Sequence, residues 1–380
     1  MRKTICLGDM ATYINGYAFK PADWGTKGLP IIRIQNLTDS GKDYNYYEGE
    51  VKEKYLVRKG DVLISWSASI GVYEWEKEDA WLNQHIFKVV FDKGEVDKRY
   101  FKYATGYVLE KSLQYAHGST MKHLTKGTFD KLPIPIYDLK EQRVIAEKIG
   151  KVDEAIFECE AMLADFELLV KSRFIEMFGD PVTNPMSWEK GLLKDITSKI
   201  GSGATPKGGN ASYKNDGISL IRSMNVYNGY FDYEGLAHID DEQAALLDNV
   251  TIESKDVLLN ITGASVARCC VVPDDILPAR VNQHVCILRC EDVVLPIFLN
   301  AVLISDQYQA KLWNIAEAGA TRQALSKEKI ESFQIILPPI SLQKQFVNFV
   351  DLIDKSKLTI KKSMDNLMEL RDSLLQEYFG

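Results

Sequence analysis

Several features that would assign a chemistry directly are absent from this chain. No run of eighteen apolar residues occurs, so no segment reads as a membrane span. Met1 to Asp9 holds two basic residues but no apolar stretch or small-residue cleavage site. No secretory signal is therefore expected, and a cytoplasmic location is. The six cysteines (Cys6, Cys159, Cys269, Cys270, Cys286 and Cys290) form no C-x-x-C pair, which argues against a zinc site and a disulfide framework. Cys286 and Cys290 alternate with hydrophobic residues as on a strand, so buried, reduced thiols are expected. Catalytic motifs are missing as well. An adenine methyltransferase needs an Asn/Asp-Pro-Pro-Tyr/Phe loop. The nearest strings, Asn184-Pro185-Met186 and Leu337-Pro338-Pro339-Ile340, do not supply it. Gly203 to Gly209 is glycine-rich but lacks the final Lys-Ser/Thr of a phosphate-binding P-loop. No Pro-Asp…Glu-x-Lys nuclease constellation stands out. No residue is assigned a catalytic or metal-binding role.

What is present is an ordinary globular composition: 380 residues, 46% hydrophobic and 26% charged, with a net charge of −7. That acidity is uneven. Residues 1–137 carry 20 basic and 17 acidic side chains (+3), and 138–180 carry 6 and 11 (−5). Residues 181–340 carry 14 and 19 (−5), and the last forty balance at 6 and 6. A polyanionic partner must be met by a local patch in the acidic part, because backbone affinity depends on phosphate neutralisation.

The most informative feature is an internal duplication. Arg33-Ile34-Gln35-Asn36 recurs as Arg222-Ser223-Met224-Asn225, and Gly60-Asp61-Val62-Leu63 as Lys255-Asp256-Val257-Leu258. Asn83-Gln84-His85 recurs as Asn282-Gln283-His284. Gly118-Ser119-Thr120-Met121-Lys122 matches Gly319-Ala320-Thr321-Arg322-Gln323, and Phe178-Gly179 matches Phe379-Gly380. One matching triplet would be chance; five in the same order are not.

Each copy has two parts. The first, 1–137 and again 181–340, consists of short apolar runs bounded by Gly, Asn, Asp and Pro. Val62–Trp66, Phe87–Phe91, Val257–Ile261 and Val281–Leu288 read as strands, and Lys98–Tyr115 and Pro296–Ile315 as helices. The second part, 138–180 and again 341–380, is a long helix. Asp138 and Glu141 have capping-box spacing. Ile149, Val152, Ile156, Cys159, Leu163, Phe166 and Val170 then recur at steps of three and four, a coiled-coil seam. Phe346, Ile353, Ile360, Leu367 and Leu374 fall seven apart in the second copy. Forty helical residues make a rod of roughly 60 Å. The expected fold class is α+β: two mixed α/β domains separated by two long antiparallel helices forming a coiled coil, with a pseudo-twofold internal repeat. Such a body suits measuring a distance along a linear polymer, as dimeric DNA readers do with half-sites about 34 Å apart.

These pieces together resemble the specificity subunits of Type I restriction–modification systems. The resemblance rests on Gly201-Ser202-Gly203-Ala204-Thr205-Pro206, Gly60–Leu63, Leu132–Pro135, Phe178–Pro181 and the terminal Phe379-Gly380, and covers essentially the whole chain. Tyr13–Pro21 departs from the Ser-Gly-x-Thr-Pro form at the start of the first copy. The resemblance implies a non-catalytic DNA-recognition subunit. It would have two target-recognition domains (1–137 and 181–340) reading an asymmetric bipartite site, and two spacer helices (138–180 and 341–380). Two methyltransferase subunits would dock on the helices, and restriction subunits would join through them. S-adenosylmethionine, ATP and magnesium would bind those partners, and this chain would need no cofactor. The alternatives are a specificity subunit of a related Type II-like defence system and a coiled-coil scaffold whose globules bind protein.

Base edges in double-stranded DNA call for Arg or Lys on guanine and Asn or Gln on adenine. Phosphates call for cations, hydroxyls and backbone amides. The candidate DNA contacts in the first domain are Arg33, Gln35, Asn36, Ser67, Ser69 and Lys122. In the second they are Thr205, Lys207, Arg222, Asn225, Thr262, Ser265, Thr321 and Arg322. Asn83-Gln84-His85 and its copy are read as architecture, because a triplet kept in two domains that read different sequences is unsuited to readout.

Overall fold

The computed structural model describes residues 3–38, 43–66, 69–115, 125–317 and 323–380. They divide into two compact units, Met1–Glu160 with Lys361–Gly380, and Ala161–Ile360. Both long helices, Leu139–Phe178 and Ile340–Phe379, are continuous for 40 residues. The division between units therefore runs through each helix.

The first unit holds two four-stranded sheets. One runs Thr12–Asn15, Ile86–Val90, Val62–Ser65, Gly71–Glu74, antiparallel throughout. The other runs Asn45–Tyr47, Leu29–Ile32, Ala80–Leu82, Leu56–Val57, and its two central strands are parallel. Thr4–Cys6 pairs with Pro133–Pro135 beneath them. The second unit repeats this plan. Its antiparallel sheet runs Thr197–Ser202, Val285–Cys290, Val257–Asn260, Cys269–Val271. Its mixed sheet runs Ala237–Ile239, Ile218–Ile221, Ala279–Val281, again with a parallel pair, and Lys190–Leu192 pairs with Gln334–Ile336. Among the described residues, the hairpin Val226–Tyr227/Tyr230–Phe231 belongs to the second unit alone.

The repeated Asp-Val-Leu string has a structural cause. Gly60 (φ +84°) and Lys255 (φ +68°) turn the chain through the left-handed region. The next residue then closes the turn, as Asp61 accepts from the Arg58 amide and Asp256 from the Glu253 amide, both at 2.8 Å. A cation from the neighbouring strand covers each carboxylate. Lys88 reaches Asp61 at 2.9 Å, and Arg289 grips Asp256 with two 2.8 Å bonds. The Val-Leu that follows is buried in both units, as a strand covered on both faces requires.

The helix Lys98–Tyr115 has the expected bounds. Two expectations need correction. Val281–Leu288 is two strands, Ala279–Val281 and Val285–Cys290, because Asn282-Gln283-His284 turns the chain between sheets. Pro296–Ile315 is two helices, Pro296–Ile304 and Asp306–Glu317, broken where Ser305 takes extended geometry and its hydroxyl bonds the Val302 carbonyl at 2.7 Å.

Asp138 and Glu141 form the expected reciprocal cap, Glu141 N–H to Asp138 at 2.8 Å and Asp138 N–H to Glu141 at 3.4 Å. Within each unit the helix segments run antiparallel. In the first, Arg371 bonds Asp153 at 2.6 Å and Lys148 bonds Tyr378 at 3.0 Å. In the second, Phe346 packs on Phe174 and Phe178. Each helix ends in an aromatic lock. Phe178 packs edge-on to Phe298 at 4.9 Å, and Phe379 to Tyr100 at 5.4 Å. Gln142 and Gln343, both buried, accept from the amides of Asp97 and Leu295 at 2.9 Å, tying each long helix to its globule. Among the described residues no helix is long and apolar enough to cross a membrane.

Candidate nucleic-acid interface

Strand direction gathers the candidate loops at one edge of each globule. Leu29–Ile32 and Ala80–Leu82 are parallel, so Arg33 and Asn83 emerge at the same end. In the antiparallel sheet, Asn15 and Ser65 pair with Phe87 and Ile86, at the start of the strand that follows Asn83-Gln84-His85. Four strand ends thus meet. The second unit does the same with Ile221 beside Val281, and with Ser202 and Asn260 beside Cys286 and Val285.

Backbone bonds stitch these ends together. In the first unit, Tyr17 N–H reaches Leu82 O at 2.8 Å, Asn83 N–H reaches Ile32 O at 3.2 Å, and Gln84 N–H returns to Tyr17 O at 2.9 Å. In the second, Gly203 N–H meets Asn282 O at 3.1 Å and Asn282 N–H meets Ile221 O at 3.0 Å. Ile261 N–H meets His284 O at 2.9 Å, and Gly263 N–H meets Gln323 O at 3.0 Å. A Cβ on Gly203 would lie 1.8 Å from Val281 O, so only glycine permits this closure.

Arg33 and Arg222 are placed alike. Each caps a short turn, its amide bonding the side chain of Asn36 (3.0 Å) or Asn225 (3.1 Å). Each guanidinium lies 5.3 Å over an aromatic ring, Trp24 or Tyr213. Each Nη2 donates to a backbone carbonyl, that of Asp43 or Gly235. The two asparagines then differ. Asn225 is fully buried and donates to Asp232 O and Glu234 O. Its side chain is used by the fold and offers nothing to a duplex, so its assignment as a contact does not stand. Asn36 and Gln35 are half-buried.

Lys207 and Ser69 are exposed, and Thr205, Thr262 and Ser265 half-buried. Thr205 bonds the Gln283 side chain, His284 Nε2 lies 3.0 Å from the Gln283 amide, and His284 Nδ1 lies 2.6 Å from the Thr262 hydroxyl. One polar chain therefore links three loops. Asn282 is architectural as expected, its Oδ1 accepting from the His284 amide at 2.9 Å. Gln283 and His284 join the loop edge, which repetition alone did not reveal. Ser67, Lys122, Thr321 and Arg322 lie outside the described residues.

The charge of this edge differs from that of its module. Loops 203–209, 222–228, 261–268, 282–284 and 323–325 contain Lys207, Arg222 and Arg268 and no carboxylate. In the first unit, loops 16–20, 33–38 and 83–85 contain Lys20 and Arg33 and no carboxylate. Four acids of the second module are paired in its framework: Asp256 and Glu253 hold Arg289, Asp248 holds Arg280, and Asp240 holds Lys214.

Burial pushes the thiols of Cys270, Cys286 and Cys290 up to about 12, and that of Cys269 well above its ordinary value. They are packing residues, not nucleophiles. Among the described residues no group of three or more His, Cys, Asp or Glu is arranged to hold a metal ion.

The family model described as "Type I restriction modification DNA specificity domain" matches residues 2–163 and again 185–369. The Type I restriction enzyme EcoBI specificity subunit of Escherichia coli is 25% identical, covering 98% of this chain and 83% of its own. The MjaIX specificity subunit of Methanocaldococcus jannaschii is 24% identical, covering 93% and 86%. Among solved structures, the S subunit of a Type I restriction-modification system from M. genitalium aligns over 100% of this chain and 96% of its own. Its TM-score is 0.55 at 15% identity. A chain from a study of assembly and conformational transition of the type I R-M system aligns over 99% and 97%, with a TM-score of 0.59 at 17% identity.

Proposed function

The chain belongs to the Type I restriction modification DNA specificity family, and from that premise we propose that each of its two modules reads one half of an asymmetric, bipartite DNA site through its loop edge. The observation that carries this is the composition of those loops. In a module of net charge −5, the edge where four strand ends converge holds three cations and no acid. Phosphates attract such loops. The amides and hydroxyls of Thr205, Gln283 and Thr262 supply the donors and acceptors that base edges and phosphates both use.

The long helices, Leu139–Phe178 and Ile340–Phe379, act as spacer and docking elements. Phe157 is 70% exposed and Leu358 56%, while Leu169 and Leu370 are 46% and 47% exposed. Both pairs keep the spacing that relates Phe178 to Phe379. The same exposed apolar positions on two helices fit two copies of one partner, which we take to be the methyltransferase subunit. Restriction subunits join through it. S-adenosylmethionine, ATP and magnesium belong to those partners.

Binding of the assembled complex to duplex DNA, measured against salt concentration, tests the reading. Replacing Lys207 and Arg222 together with alanine should weaken binding across sequences and reduce the magnitude of the salt slope by about 2. An unchanged slope with intact assembly would favour a protein scaffold instead.

A further inference from the structure

Arg268 is a cation that the sequence does not single out and that the framework does not use. It stands opposite Asn260, the strand end that leads into Thr262. Asn260 N–H bonds Arg268 O at 2.8 Å, and Ala267 N–H bonds Asn260 O at 2.8 Å. Arg268 thus shares the loop edge. Its guanidinium lies 4.4 Å over the Tyr227 ring, and Tyr227 stacks on Tyr230 at 5.0 Å with the planes 11° apart. The tyrosines belong to the hairpin Val226–Tyr227/Tyr230–Phe231. That hairpin is bolted to the sheet by Gly229 N–H to Cys269 O at 2.9 Å and by Cys269 N–H to Asn228 Oδ1 at 3.1 Å. Two other arginines of the module, Arg280 and Arg289, are ion-paired. Arg268 has no ion pair among the described residues.

Stacking fixes the plane of a guanidinium and leaves its N–H edge available. A planar fork held this way matches the O6 and N7 acceptors of guanine in the major groove, the commonest specific contact to DNA. Phosphate is the competing ligand, and the duplication separates the two. A contact to the backbone is needed in both half-sites and should recur in both modules. Arg33 and Arg222 recur down to the capped asparagine, the stacked ring and the Nη2 bond. Arg268 does not recur. The equivalent position in the first module, opposite Ser65, is Gly71.

We propose that Arg268, held over the Tyr227 ring that itself stacks on Tyr230, reads a guanine in the half-site of the second module, whereas Arg33 and Arg222 are equivalent backbone anchors. The inference rests on the modules being DNA readers. The test uses the chain in complex with its methyltransferase, with modification scored over a library of sites varied at every position. The unsubstituted complex must first mark a two-part site; if it does not, the reading of the modules as DNA readers fails, whatever Arg268 does. Given that site, Arg268→Ala should lose roughly tenfold to a hundredfold discrimination at one G·C position and leave the other half-site untouched. Arg268→Lys, which keeps the charge but not the fork, should lose the same selectivity. Tyr227→Phe keeps the ring and should retain it, which guards against a general loss of fold. A uniform loss across all sequences, rescued by Arg268→Lys, would make Arg268 a phosphate contact and overturn the proposal. Unchanged selectivity in Arg268→Ala would overturn it equally.

Discussion

The first module (1–137, +3) and the second (181–340, −5) share one framework and carry opposite net charge. Sheet order, the parallel strand pair, the asparagine-capped arginine turn and the buried helix-tethering glutamine are common to both. The difference lies in how each framework holds its acids. The first module has Lys88 on a partly exposed Asp61; the second surrounds Arg289 with Asp256, Glu253 and the Thr251 carbonyl. The loops 16–20, 33–38 and 83–85 of the first module and 203–209, 222–228, 261–268, 282–284 and 323–325 of the second carry cations and no carboxylate in either case. Whole-module charge is a poor guide to what a module binds.

Three pairs of substitutions press on that comparison. The largest effect is expected at the aromatic locks. Phe178 is fully buried among Phe174, Phe298 and Phe346, so Phe178→Ala should cost about 3–5 kcal/mol in denaturant unfolding. Phe379 is 5% exposed, and Phe379→Ala should cost less. Equal losses would mean that the two units hold their helix ends equally tightly.

The ion pairs should separate the frameworks next. Asp256 is 1% exposed, and its removal takes two bonds from the Arg289 guanidinium, which keeps Glu253 and the Thr251 carbonyl, and also removes the cap on the Glu253 amide. Asp256→Ala should cost about 3–4 kcal/mol. Asp61 has a side chain 25% exposed and a more flexible partner, so Asp61→Ala should cost about 1–2 kcal/mol, part of it from the lost turn cap. Matching losses in thermal unfolding would remove the distinction drawn between the two modules.

The smallest and cleanest contrast is at the turn before each aspartate. Lys255 occupies a left-handed conformation where its counterpart is Gly60, and a Cβ on Gly60 would meet nothing within 4 Å. Backbone preference alone should then decide the sign. Lys255→Gly should raise stability by roughly 1 kcal/mol and Gly60→Lys lower it by a similar amount. A loss in Lys255→Gly would show that the lysine side chain contributes more than its backbone costs.

The duplication made the architecture legible in the sequence. Repeated strings marked the two modules, and the three-four spacing of Ile149 to Val170 marked a helix that the structure shows unbroken to Phe178. Periodicity could not place the break at Asn282-Gln283-His284, because apolar residues continue on both sides and the change of sheet is a tertiary event. Repetition pointed to the arginine turns at Arg33 and Arg222, which the structure builds alike. Repetition gave no sign of the burial of Asn225, which depends on the chain returning at Asp232 and Glu234. It was silent at Arg268, Tyr227 and Tyr230, since a contact unique to one module leaves no repeat to find. Gln142 and Gln343 were recoverable as matching residues at the helix starts, but ordinary polar residues on a long helix give no hint of burial.

The most direct measurement maps methylated bases across a genome after co-expression of this chain with its partner methyltransferase. The account predicts two short specified segments, different in sequence and separated by a fixed unspecified gap. A single uninterrupted motif, or unmodified DNA from a complex shown to be assembled and active, would contradict it.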